Sequence, residues 1–126
     1  MKNDLIAETG IFDLDKNNLD DEWINQPKLY HEYAVRLAEA KRDYEQAKTD
    51  RDLTAAELDR EIRRKPDEYD LVKTTEAVIE KTIPLQKEYQ KKQQVVIEAK
   101  YATDILQAAV DALEHRKRAL EKLVEL

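Results

Sequence analysis

The sequence predicts an all-α protein: a long antiparallel helical hairpin with heptad-like seams, oligomerising into a helical ring or bundle. Three observations predict it. Apolar and small residues recur at steps of three and four along two long stretches, and the single Gly and three Pro leave those stretches almost unbroken. With 40% charged residues, one Phe and one Trp in 126 residues, there are too few large side chains for a deep core. Apolar alternation at period two never persists, so no strand competes.

Residues 1–26 read as an irregular acidic arm, and residues 27–126 as a helical hairpin for oligomerisation and DNA binding. The arm holds the only Gly, an Asp/Asn-rich run from Asp13 to Asp21, and scattered anchors at Ile11, Phe12, Leu14, Leu19, Trp23 and Ile24. Asn25 before Pro27 suits a helix start, because an Asn side chain accepts from free N–H groups and Pro fits a first turn.

From there a seam runs through Tyr30, Tyr33, Leu37, Ala40, Tyr44, Ala47, Arg51, Thr54, Leu58 and Ile62. A helix from about Lys28 to Lys65 would be about 55 Å long at 1.5 Å per residue. Pro66 ends it, since the residue before a proline is pushed out of the α region. Pro66, Asp67 and Glu68 look like the start of the second helix, with a possible break near Thr74 and Thr75. Pro84 lacks the N–H that would bond residue 80, so an interruption is expected there.

Beyond Pro84 the seam continues through Tyr89, Lys92, Val96, Ala99, Thr103, Leu106, Val110, Leu113, Lys117, Leu120 and Val124. A second stripe, Val95, Ala102, Ile105, Ala109, Ala112, Ala119 and Leu123, widens the apolar face beyond what one partner helix covers. Tyr89, Val96, Leu106, Val110, Leu113, Leu120 and Val124 are therefore the expected oligomer interface. The stripe is still running at Leu126, so a short natural tail beyond it is expected.

Several functions are disfavoured. No Gly-rich phosphate loop, nucleophile elbow or supported Ser/His/Asp set exists, so the protein is read as a non-enzyme needing no cofactor. Asp13, Asp15 and Asn17 open like a calcium loop, but Asn18 stands where Gly is wanted and Ile24 where Glu is. His31 and His115 lack a Glu three residues earlier, the positions being Lys28 and Ala112, so no metal is expected. With no Cys, no export signal and no membrane span, the expected location is cytoplasmic.

The net charge of −6 is concentrated in the arm, where seven acids face Lys2 and Lys16, leaving 21 acids against 20 bases elsewhere. Within that near-neutral remainder two basic clusters stand out. Arg60, Arg63, Arg64 and Lys65 gather at the hairpin tip and are candidate phosphate contacts, although cations in a last helical turn also complement the dipole. Arg116, Lys117 and Arg118, beside His115, form the second cluster, with Lys91, Lys92 and Lys100 earlier in the same helix.

Four stretches carry a family resemblance. Trp23-Ile24-Asn25-Gln26-Pro27-Lys28-Leu29-Tyr30, then Leu58 to Arg63 leading into Pro66-Asp67-Glu68-Tyr69, Lys73-Thr74-Thr75-Glu76, and Leu106 to Leu120 resemble phage recombination mediator proteins of the UvsY type. The resemblance covers roughly Leu19 to the C-terminus. It implies a ring-like homo-oligomer that binds single-stranded DNA and helps load a RecA-like recombinase against the competing single-strand-binding protein, without hydrolysing nucleotide. It also implies a place in phage homologous recombination and repair, and thus the host cell cytoplasm. The family's DNA contacts lie late in the first long helix, where this chain has Ala55, Ala56 and Glu57, so Arg60, Arg63, Arg64 and Lys65 are the matching chemistry. The alternative is a structural or adaptor coiled-coil protein that binds only other proteins.

Overall fold

A computed structural model describes residues 9–125. Met1 to Glu8, which carry Lys2, Asp4 and Glu8 of the acidic arm, and Leu126 lie outside the described residues. The chain is all-helical, with no strand among the described residues. Three α-helices, α1 (Leu19–Arg64), α2 (Glu76–Thr82) and α3 (Lys87–Glu125), alternate with 3-10 turns at Thr9–Phe12, Pro66–Tyr69 and Ile83–Leu85. No described helix is long and apolar enough to cross a membrane. Contacts divide the chain into two compact units, residues 1–42 with 100–126, and residues 43–99.

In the first unit α1 begins at Leu19, earlier than the expected start at Asn25. The reason is local. Asp15 accepts from the backbone N–H of Asn17 and from the Asn18 side-chain amide, each at 2.9 Å, forming an Asx turn that leads into the first helical bond, from Glu22 N–H to the Asn18 carbonyl. Asp20, Asp21 and Glu22 then sit where the helix dipole favours acids. Pro27 lies inside the helix and removes only the bond to the Trp23 carbonyl.

The core of this unit joins Tyr33 and Leu37 of α1 to Leu106, Val110 and Leu113 of α3, with Phe12, Leu29, Ala40 and Ala109 packed around it. Phe12 tilts against Tyr33 at a ring-centroid distance of 6.4 Å, so the turn before α1 docks on the helix pair. The two helices run antiparallel here. Glu22 meets Arg116 and Gln26 meets Leu113, whereas Tyr33 and Leu37, further along α1, join Leu106, which lies earlier in α3.

In the second unit Ala47, Leu58, Ile62, Ile79, Thr82 and Val96 are buried. Lys65 leaves the helical region before Pro66, as expected, but no second helix starts there. Pro66–Tyr69 makes one 3-10 turn, closed by the N–H of Leu71 on the Pro66 carbonyl, and Asp70 turns left-handed at φ 57°. A left-handed residue cannot continue a right-handed helix, so the chain restarts only at Glu76. Thr75 caps that restart, its Oγ1 accepting from the N–H of Val78 at 3.3 Å. The break at Pro84 takes the expected form, a 3-10 turn followed by extended Gln86. Side-chain amides satisfy carbonyls there, Gln86 on Thr82 at 3.0 Å and Gln90 on Pro84 at 3.1 Å.

Heptad counting places Lys92 and Lys117 on the seam, and both are exposed. Their neighbours take the inward positions. Half-buried Gln93 accepts from Arg51 Nη1 at 3.0 Å, and Arg116 is buried. Because steps of three and four can be taken in either order, Tyr89 reaches Val96 through 92 or 93, and Leu113 reaches Leu120 through 116 or 117. A partner across the interface decides.

Candidate nucleic-acid interface

The four tip cations occupy the last turns of α1 and the residue after it. Arg63 is the most engaged, donating to Asp59 at 2.5 Å and to Glu76 at 2.6 Å. Hydrogen bonds from Asp59 first, then Glu76, hold its guanidinium far above the ordinary arginine range. Lys65 lies 3.8 Å from Glu68. Arg60 and Arg64 are exposed and have no carboxylate partner among the described residues, but they line a shallow groove of about 300 Å³ together with Glu57, Glu61 and Lys65. Counting Glu57, Asp59, Glu61, Asp67, Glu68 and Asp70 against Arg60, Arg63, Arg64 and Lys65, the tip has six acids and four cations. Its field is negative unless a ligand selects Arg60 and Arg64 alone.

The second cluster does not act as a unit. Arg116, expected to contact DNA, has a side chain only 3% exposed and is ion-paired with Glu22. It also donates to Gln26 Oε1 at 2.5 Å and reaches the Asp13 carbonyl at 3.5 Å. A guanidinium dried and tied in this way cannot present itself to a phosphate, which corrects the expectation for this residue. Its Nε is the one buried side-chain polar atom among the described residues without a partner. Lys117 and Arg118 are exposed, with no ion pair among the described residues.

The expected oligomer interface also needs correction. Val96, Leu106, Val110, Leu113 and Leu120 are buried within the chain itself, and Tyr89 is half-buried, which leaves only Val124, 53% exposed, open to another copy. The intrachain helix partner uses the seam that was expected to face other protomers. Of the second stripe, Val95 and Ala119 are exposed and the rest half-buried. Large apolar side chains that remain exposed lie elsewhere: Trp23, Ile24, Val35 and Tyr101 in the first unit, and Leu53, Leu85 and Ile97 in the second.

Sequence reasoning undervalued one cationic stretch. Lys81 near the end of α2 and Lys87, Lys91 and Lys92 at the start of α3 are all exposed, and none has an ion pair among the described residues. Between Lys81 and Ile97 the only acid is Glu88. Lys91 and Lys92 stood out in the sequence, but the break at Pro84 hid how near Lys81 and Lys87 are to them along the chain. No family model, curated protein or solved structure matches the chain.

Proposed function

We propose that the chain is a homo-oligomeric recombination mediator, which holds single-stranded DNA on a repeated cationic surface and promotes loading of a RecA-like recombinase against single-strand-binding protein. One observation carries this reading. Two long helices combine exposed cations that have no ion pair among the described residues, Arg60, Arg64, Lys87, Lys91, Lys117 and Arg118, with large apolar side chains that the chain itself leaves exposed, among them Ile24, Val35, Leu53 and Ile97. Apolar exposure drives self-association, and self-association multiplies a weak cationic field into a strand-binding one. The UvsY-type sequence resemblance supplies the recombinase and the phage setting, with the host cytoplasm as the compartment. Fluorescence anisotropy with labelled oligo-dT and light-scattering mass test it together. Salt-sensitive binding by an oligomer is expected, and a monomer that ignores oligo-dT at low salt would overturn it.

The adaptor reading, a coiled-coil protein that binds only proteins, is favoured by the tip chemistry, where acids outnumber cations and Arg63 is held by two carboxylates. An oligomer without affinity for oligo-dT at low salt would select it.

A further inference from the structure

We infer that the single-strand contact of this protein is the lysine face formed by Lys81, Lys87, Lys91 and Lys92, rather than the arginine tip. The inference rests on the strand-binding reading above and names its site. All four lysines belong to the second unit, so the surface needs no assumption about how the two units are arranged.

What separates the two cationic regions is whether the fold itself accounts for the charges. At the tip it does. Arg63 and Arg64 lie in the last turn of α1, where cations complement the dipole, and Arg63 has two carboxylates besides. At the lysine face it does so only for Lys81, in the last turn of α2. Lys87 is the first residue of α3, at the positive end of the helix, where the dipole disfavours a cation. The one acid of that first turn is Glu88, next to Lys87 and three and four residues before Lys91 and Lys92, and it forms no ion pair with them, since Lys81, Lys87, Lys91 and Lys92 lack ion pairs among the described residues. Burial first, then a hydrogen bond to Glu61, raises the Tyr69 phenol, with the charge of Glu88 adding to this, and Glu98 accepts from Gln94 at 3.5 Å.

The arrangement suits a flexible polyanion. Lys87 and Lys91, four residues apart, stand one above the other on α3, Lys92 lies about 100° further round the helix, and Lys81 lies across the break on α2. Gln86 and Gln90, bonded to the Thr82 and Pro84 carbonyls, fix that break. Leu85, 72% exposed in the same break, offers apolar surface to an unstacked base. A single strand needs phosphate neutralisation along a few turns and no groove-shaped reader, which is what four unpaired amines provide.

The test compares three full-length proteins against labelled oligo-dT across a salt series: wild type, Lys87→Glu with Lys91→Glu, and Arg60→Glu with Arg64→Glu. The lysine pair is expected to lower affinity at least about tenfold and to flatten the log–log salt slope by about 1.4, two contacts at about 0.7 each, while the arginine pair changes affinity less than about threefold. Unchanged circular dichroism and light-scattering mass, with the milder Lys87→Gln, Lys91→Gln pair intermediate, separate lost contacts from lost folding. As a second readout, bound oligo-dT is expected to protect Lys81, Lys87, Lys91 and Lys92 from acetylation and leave Lys117 reactive. Wild-type binding that falls only in the arginine variant would overturn this inference and leave strand binding standing. Absence of wild-type binding at low salt would overturn both.

Discussion

Near the C-terminus of α3 and at the end of α1 the protein holds an arginine on two side-chain acceptors, in opposite surroundings. Arg116 lies dry between Glu22 and Gln26, tying residues some ninety positions apart in sequence. Arg63 sits in water between Asp59, one turn earlier, and Glu76, just past the loop. The same residue type in similar clusters therefore serves packing in one region and solvation in the other. Desolvation sets the stakes: a buried charge that loses its partner cannot turn to water, whereas an exposed one can.

Replacing Glu22 by Gln gives the largest expected effect, about 3 kcal/mol of stability lost in urea unfolding, because it leaves the Arg116 charge buried without its counter-ion. Adding Arg116→Met is expected to restore most of that loss. The coupling in this double-mutant cycle would exceed about 1 kcal/mol, and additive losses would show that the guanidinium is hydrated after all. Next comes Thr75→Ala, which removes the cap of α2 and is expected to cost about 1 kcal/mol. Arg63→Ala is expected to leave the urea midpoint where it is, and a clear drop would erase the contrast between the two arginines.

The smallest effect concerns Tyr30. A hydrogen bond to Glu114 raises its phenol, with the charges of Glu114 and Asp111 adding to this. The folded state thus holds that proton more tightly than the unfolded one. Its contribution is fully present at neutral pH and is lost as pH climbs past the ordinary phenol range. Ultraviolet titration is expected to show Tyr30 and Tyr69 ionising late, and Tyr30→Phe to remove one of those two late steps.

Much of the helical pairing was legible in the residues. The steps through Tyr33, Leu37, Ala47, Leu58 and Ile62 in α1, and through Val96, Leu106, Val110, Leu113 and Leu120 in α3, all end in buried positions. Periodicity reveals them because a helix buries one face whatever it packs against. It could not reveal what covers that face, and the seam assigned to other copies is used within the chain. Nor could it choose Arg116 over Lys117 or Gln93 over Lys92, since those choices depend on Glu22 and Arg51, far away in sequence. The start at Leu19 was hidden by Pro27, which looked like a first-turn proline and is an interior one. Among the candidate DNA contacts, a run of letters showed charge without its partners, so the clamped Arg63 and Arg64, which has no ion pair among the described residues, looked alike.

Pro27 has a further consequence for how α1 breathes. With the Trp23 carbonyl lacking its backbone donor, cooperativity along the helix is weakest at that point, and the segment from Leu19 to Gln26 is joined to the rest by fewer main-chain links. What steadies this segment is the grip of Arg116 on Glu22 and Gln26. Slow deuterium uptake by its amides would then report the integrity of a side-chain latch made by a distant stretch of the chain, and not the propagation of the helix to which those amides belong.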